Sequence, residues 1–316
     1  MVAWLGRLGA GALVVGLLLG AAGCGRSESV TPASSGSGGH RLKVVATTTQ
    51  VADFARNIGG GKVLVTQILK PNVDPHDYEP SPADVQAIST ADLVVKSGVG
   101  LEKWLDQTIS SAGFDGTVVD TSKGVAIRKG EGEEAAEGDP HIWHSPRNAK
   151  IMSTNIAHAF EVADPADKKV FAANLASYGA KLGALDAEIA RKIDTIPAAQ
   201  RKLVTNHDAF GYYIDHYHLR FVGSIIPSFD TSAELSGKQV NTLVAQIKAT
   251  GVKAVFSESS LPPKTAEAIA KQAGVKVEAG EDSLYGDTLG PAGSAGSTYL
   301  KMEEHNTDTI VSALGS

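Results

Sequence analysis

Asp164 to Pro197 reads DPADKKVFAANLASYGAKLGALDAEIARKIDTIP, and this stretch decides the architecture. Phe171, Leu175, Tyr178, Leu182, Leu185, Ile189 and Ile193 recur at intervals of three and four residues, which lines them along one face of an α-helix. Asp164 stands where a cap belongs, and Pro197 ends the segment. From Pro165 to Ile196 such a helix is about 45 Å long at 1.5 Å per residue, enough to cross from one lobe to another.

Outward from this helix, short β-rich runs alternate with helical patterns on both sides. Before it come Leu42 to Ala46, a helix through Val51 to Ile58, Val63 to Leu69, a helix Pro82 to Ile88, Leu93 to Lys96, a helix Leu101 to Ile109, and Val118-Val119. Ser81, Pro82 and Asp84 together form a helix-start signal with capping-box spacing. After it come Leu203 to Thr205, a helix Ala209 to Tyr217, Arg220 to Ile226, a helix Gly237 to Ala249, Ala254 to Ser257, a helix Pro263 to Gln272, Val275 to Val277, and a last helix Ser297 to Leu314. Strand and helix in strict alternation imply parallel sheets with helices on both faces. The expected organisation is an N-terminal α/β lobe over 41–163, the linking helix over 164–197 and a C-terminal α/β lobe over 198–316. No residue-level repeat relates the halves.

The region 1–23 has one positive charge, Arg7, and then an apolar run from Leu8 to Ala22, the pattern of a secretory signal and too short for a stable span. The chain's single cysteine, Cys24, follows it directly and cannot form an internal disulfide. Ala21-Ala22-Gly23-Cys24 resembles a bacterial lipobox, in which the cysteine becomes a lipidated N-terminus; Ala21 departs from the more usual leucine. Residues 24–40 are rich in Ser and Gly and read as a flexible tether. A net charge of −6 offers no basic stripe to displace phosphate counterions, which excludes nucleic-acid binding. The acidic stretch Gly130 to Asp139, GEGEEAAEGD, reads as an exposed loop without histidine.

Of nine histidines, three stand in loops rich in Pro, Asp and aromatic residues, each directly before a helix. They are His76 in PHDYEP, His141 in DPHIWHSP and His207 in TNHDAF. In open α/β sheets the carboxyl ends of strands face the ligand crevice, so these positions suit a shared site. Neutral imidazole is a favoured zinc ligand, and a carboxylate would complete the shell, Asp287 in the glycine-flanked LYGDTLG loop being the best candidate. By position alone, each of these side chains would serve equally as a helix cap or a packed core group. Glu258 could orient a ligand histidine through its second nitrogen, or pair with a lysine. His144, three residues after His141, could share a helical face with it and is expected beside the site or exposed, in preference to a ligand role. His216 and His218 form a His-x-His pair at the far end of the helix that follows His207, expected as a surface feature; His40, His158 and His305 take structural readings.

The chain resembles the cluster A-I receptors of zinc and manganese ABC importers over His40 to Leu314. The resemblance rests on PHDYEPSPAD, DPHIWHSPRNA, NHDAFGYY, the Ser257 to Ser260 segment, the Asp287 loop and YLKMEEHNTDTIVSAL in order. It implies that His76, His141, His207 and Asp287 bind the metal, the first two from the N-terminal lobe and the last two from the C-terminal lobe. It also implies that the long helix is a rigid interlobe strut, that the metal sits in the crevice, and that the partners are a membrane permease and, through the lipid on Cys24, the cell membrane. A monomeric, extracytoplasmic receptor that performs no chemistry is the expectation. His144 departs from the pattern, because relatives often carry an apolar residue there.

Three imidazoles and one carboxylate favour Zn2+ over Mn2+ under the Irving–Williams order, and manganese-selective relatives tend to show glutamate where His207 stands. Against this, many zinc receptors have histidines in the acidic loop, and this one has none. The competing readings are a zinc metallohydrolase, which needs an open coordination position and a general base, and a surface adhesin on the same tether.

Overall fold

The computed structural model describes residues 41–130, Ala136 and residues 138–315. The expected signal segment, the lipidation site Cys24 and the tether lie outside the described residues, as does most of the acidic stretch after Gly130.

The first half builds β1 (Leu42–Ala46), α1 (Thr49–Gly59), β2 (Val63–Gln67), α2 (Pro82–Ser89), β3 (Leu93–Lys96), α3 (Leu105–Ala112) and β4 (Thr117–Asp120). The four strands form one parallel sheet in the order β2-β1-β3-β4, with Val44 opposite Val65 and Leu93. Alternate side chains of a strand point to opposite faces. Leu42, Val44 and Ala46 accordingly enter the main core, while Val45 joins a second cluster with Val94, Ile88 and Leu105 under α2 and α3. Burial on both faces explains the apolar runs Val44-Val45-Ala46 and Leu93-Val94-Val95 of the two central strands.

Local chemistry sets the helix ends. The Ser81 hydroxyl accepts from the Asp84 N–H and the Asp84 carboxylate accepts from the Ser81 N–H, as the sequence signal requires. α3 starts four residues later than expected because Glu102 turns inward, where its carboxylate accepts from the Thr47 hydroxyl and the N–H groups of Ser97 and Gly98. Gly113 closes α3 in the left-handed region, at φ 59°. β2 ends at Gln67, yet the N–H groups of Ile68 and Leu69 still reach the carbonyls of Ala46 and Thr47 at 2.9 and 3.0 Å.

α4 (Pro146–Ala163) leads into the long helix α5 (Lys168–Ile193). Pro165–Asp167 is a separate 3-10 turn, held by the Asp164 carboxylate accepting from the N–H groups of Ala166 and Asp167, so α5 proper begins at Lys168. Its 26 residues span about 39 Å. Six of the seven expected stripe residues are buried, and Leu175 is half-buried against the same core. Near its start, Asn174 donates to the Ile58 carbonyl of α1. Near its end, Asp186 accepts from Arg147 of α4.

The second half builds β5 (Lys202–His207), α6 (Gly211–Tyr217), β6 (Arg220–Ile226), α7 (Gly237–Thr250), β7 (Ala254–Phe256), α8 (Lys264–Ala273), β8 (Lys276–Glu278) and α9 (Tyr299–Gly315). β5 pairs with β6 and β7 with β8, both parallel, and β7 lies alongside β5. Val204, Ile225 and Val255 pack under α7 and α8. Leu203, Ala254 and Phe256, from the opposite face, belong to the same cluster as the β1 and β3 side chains, joined through α1, α4, α5, α6 and α9. Asp186 of α5 also accepts from His216 and Tyr217 of α6 at 2.6 and 2.9 Å. The two lobes therefore share one continuous apolar core along the linking helix.

A shared core implies shared cooperativity. Leu182→Ala, in the middle of α5, is expected to cost about 2–5 kcal/mol and to lower one transition common to both lobes. Chemical denaturation followed by tryptophan fluorescence and by far-ultraviolet circular dichroism should give coincident midpoints. Two separated transitions would contradict the shared core.

Candidate metal centre

Four side chains from four distant segments converge at the carboxyl-end side of the strands: His76, His141, His207 and Asp287. His207 is the last residue of β5, and Asp287 lies in the loop between β8 and α9. One ligand-type atom from each lies within 4.8 Å of all the others. The His141 Nε2 is 3.3 Å from that of His76 and 3.2 Å from that of His207. Asp287 Oδ1 is 3.3 Å from the Nε2 atoms of both His141 and His207, and Oδ2 is 3.9 Å from that of His76. The side chains of His141, His207 and Asp287 are wholly buried, and that of His76 is 3% exposed.

Hydrogen bonding at the outer ring nitrogens fixes what points inward. Asp139 Oδ1 accepts from the backbone N–H of His141 at 3.0 Å and faces its Nδ1 at 2.9 Å. Glu258 Oε1 accepts from the backbone N–H of His207 at 3.0 Å and faces its Nδ1 at 2.9 Å. A proton on each Nδ1 leaves each Nε2 lone pair aimed at the centre. Neither Asp287 oxygen accepts a hydrogen bond from a conventional donor. The centre is thus lined by four ligand-type atoms that face one another.

Charge follows the same arrangement. Burial would raise the Asp287 carboxyl, but the His207, His141 and His76 imidazoles outweigh it and hold it well below the usual carboxylate range. Burial would depress His141, but Asp139 and Asp287 outweigh that and raise it to about 9. The same competition, with Asp287 and Glu258 as the anions, lifts His207 well above its usual value. At His76 burial wins over the Asp287 charge and pulls the imidazole down to about 4.

The Asp287 loop is gripped along its length. Gln50 donates to the Asp287 carbonyl at 2.8 Å, the Leu289 N–H donates to the Thr49 hydroxyl at 2.8 Å, and the Asn72 N–H donates to the Thr288 hydroxyl at 3.0 Å. The Trp143 indole donates to the Gly286 carbonyl at 2.9 Å. Gly286 is needed for close approach, because a Cβ there would run into the Glu258 carboxylate. The mouth of the crevice beside His76 is a recess of about 70 Å³ lined by Phe229, Lys103 and Asp230 among others. Lys103 pairs with Asp230 across it at 2.7 Å, and Thr231 donates to Asp74 at 2.6 Å.

The other expected residues fall as follows. Glu258 sits on His207 as described. His144 is fully buried next to the centre, with both ring nitrogens engaged elsewhere, on Glu303 and on the Gly286 carbonyl, so it does not face the centre. His216 and His218 do not converge: His216 bonds Asp186, and His218 is the left-handed cap of α6. His305 bonds the Ser283 carbonyl, and His158 is exposed on α4. Sequence reasoning assigned no role to Asp139, Gln50, Trp143 or Glu303. For Asp139 a signal existed, since Asp-Pro-His occurs twice, at 74–76 and 139–141, and in both the aspartate accepts from the histidine N–H.

Comparison with known proteins places the chain in a family. The family model described as ZnuA, zinc-uptake complex component A, periplasmic, matches residues 44–313. The zinc-binding protein TroA of Treponema pallidum (strain Nichols) is 35% identical over 277 residues, covering 86% of this chain and 88% of that protein. The manganese ABC transporter substrate-binding lipoprotein PsaA of Streptococcus pneumoniae is 31% identical over 310 residues, covering 96% and 97%. The solved structure of the periplasmic zinc-binding protein TroA from Treponema pallidum superposes with a TM-score of 0.81 at 32% identity, covering 87% of this chain and 100% of that one. With a two-lobed α/β body on one long helix and a family match over nearly all of that body, the chain belongs to the ZnuA family of metal-receptor components of ABC importers.

Proposed function

We propose that this chain captures one divalent transition-metal ion, zinc by preference, in the shell formed by His76, His141, His207 and Asp287, and delivers it to a membrane permease. The observation that carries the reading is the fully buried Asp287 carboxylate, facing imidazole nitrogens and accepting no conventional hydrogen bond. A buried carboxylate needs a positive partner, which in the metal-free centre only protonated imidazoles supply, and a metal cation takes over that role. Size supports zinc. Ligands about 2.0–2.1 Å from a tetrahedral centre lie about 3.3 Å apart, and the nearest donor pairs here are separated by 3.2–3.3 Å. Three nitrogen donors also hold zinc more tightly than manganese.

Asp139 and Glu258 fix the tautomer and orientation of two ligands, so capture needs little rearrangement of the rings. Four protein donors complete the shell and leave no position for an attacking water, which supports a receptor over a metallohydrolase. Glu258 Oε1 faces His207 Nδ1 at 2.9 Å, which suits it to orienting that ring. No helix among the described residues is long and apolar enough to cross a membrane. In the proposed cycle a monomer tethered through lipidated Cys24 loads at the crevice mouth, docks on the permease and releases the ion when the lobes part. The crossing contacts Lys103–Asp230 and Thr231–Asp74 must break for that step.

Equilibrium competition against a chromophoric chelator should give one zinc per chain. His76→Ala and Asp287→Ala should each weaken binding by at least about a hundredfold, since each removes a direct ligand. A chain that binds no stoichiometric metal, or variants that bind as wild type, would contradict the assignment. Zinc at about a hundred times its Kd should add about 2.7 kcal/mol to stability, read as a raised Tm.

Binding should also release protons. At pH 7 the metal-free centre holds protons on His141, raised to about 9, and on His207, raised well above its usual value. The ion must displace them, so affinity should climb with pH between about 6 and 9. Titration calorimetry in buffers of different ionisation enthalpy measures this directly. Zinc uptake without proton release would contradict the ligand set.

A further inference from the structure

One buried face of α9 carries Tyr299, Glu303 and Asn306, spaced by four and three residues. All three are fully buried, and each reaches toward the Asp287 loop or the segment that holds it. Asn306 grips Tyr285 twice, its Oδ1 accepting from the Tyr285 N–H at 2.8 Å and its Nδ2 donating to the Tyr285 carbonyl at 2.9 Å. The Tyr299 hydroxyl donates to the Trp143 carbonyl at 2.7 Å. Glu303 Oε1 lies 2.9 Å from His144 Nδ1, and His144 Nε2 lies 2.9 Å from the Gly286 carbonyl.

Hydrogen-bond logic fixes one proton. A carbonyl only accepts, so His144 Nε2 must carry a hydrogen and donate to Gly286. Nδ1 faces the Glu303 carboxylate at 2.9 Å, so the ring is held at both nitrogens. The imidazole is stacked on Phe210, with centroids 4.3 Å apart and planes 27° from parallel, so the ring has little freedom to turn away. The Gly286 carbonyl thus receives two donors, Trp143 Nε1 and His144 Nε2, on the residue immediately before Asp287. Burying a histidine and a glutamate together is expensive where an apolar pair would pack. Stability alone does not account for the pair, and the aim of His144 at Gly286 supplies a reason.

We propose that His144 and Glu303 are positioning residues for the metal: α9 sets the His144 ring through Glu303, and His144 holds the Gly286 carbonyl so that Asp287 meets the three histidines. The proposal rests on the metal-site reading above and adds to it a chain of contacts from the terminal helix to the carboxylate ligand. His144 acts only through Asp287, and its loss leaves the other three ligands in place.

The test uses the purified full chain and a thermodynamic cycle. The apolar pair His144→Leu with Glu303→Leu removes the donor without stranding a charge and is expected to weaken zinc binding about tenfold or more, while the metal-free Tm does not fall. His144→Gln with Glu303→Gln restores a donor to Gly286 and a partner behind it, and is expected to stay within about threefold of wild type. His144→Asn with Glu303→Gln keeps the interior polar but is too short to reach Gly286. It should lose affinity as the leucine pair does, and it gives the same reading if that pair does not fold. In an Asp287→Ala background the cost of each disruptive pair should vanish, and with Asp287 present the visible Co2+ spectrum should lose tetrahedral intensity. Wild-type affinity in the disruptive pairs, or an undiminished loss in the Asp287→Ala background, would overturn the positioning role. A wild-type chain that takes up no metal would instead overturn the site reading itself.

Discussion

Everything at the centre turns on one electrostatic constraint: nitrogen atoms of three imidazoles and the oxygens of one carboxylate are held face to face, out of water, where only shared protons or a cation relieve them. The His141 nitrogen stands 3.2–3.3 Å from three other electron-rich atoms. Such a cluster is stable only with protons or a cation inside it, and the surrounding structure is arranged to keep it from relaxing in any other way. Asp139 and Glu258 occupy the outer nitrogens of two rings, so those rings cannot turn to find partners elsewhere. Gln50, Thr49, Trp143 and His144 take the backbone groups of the Asp287 loop, so the carboxylate cannot swing out to solvent without breaking them.

Holding four donors that close requires a scaffold that does not yield, and the continuous core supplies it. α5 is tied to α1 at one end and to α4 and α6 at the other, and its apolar stripe joins side chains of both sheets in one cluster. The Asp287 loop sits where the lobes meet: it follows β8 in the chain, yet its hydrogen bonds run to α1, to Asn72 and to the segment before α4. The Asp287 carboxylate is therefore braced by both halves of the molecule.

The fold was largely legible in the sequence because its signals are local. The stripe on α5, the Ser81 capping box and the apolar runs of β1 and β3 each follow from a period or a cap, and each appears where expected. Where expectation and structure differ, a side chain has overridden the pattern, as Glu102 does at the start of α3 and Asp164 does in the 3-10 turn before α5. His76, His141 and His207 were legible as candidates from their loop contexts, but their convergence with Asp287 was not, since it depends on four segments up to 211 residues apart. The two Asp-Pro-His tripeptides show the limit. Asp139 binds both the N–H and the ring of its histidine, whereas Asp74 binds only the N–H of His76 and gives its other oxygen to Thr231. Identical local sequence takes different roles because the opposite wall of the crevice differs.

The most direct measurement of the central claim is zinc K-edge X-ray absorption on the zinc-loaded chain. The account predicts one ion with four nitrogen and oxygen neighbours at about 2.0–2.1 Å and the multiple-scattering signature of three imidazoles, one of which is lost in His207→Ala. A six-oxygen shell, or an imidazole signature unchanged by removing His207, would contradict it.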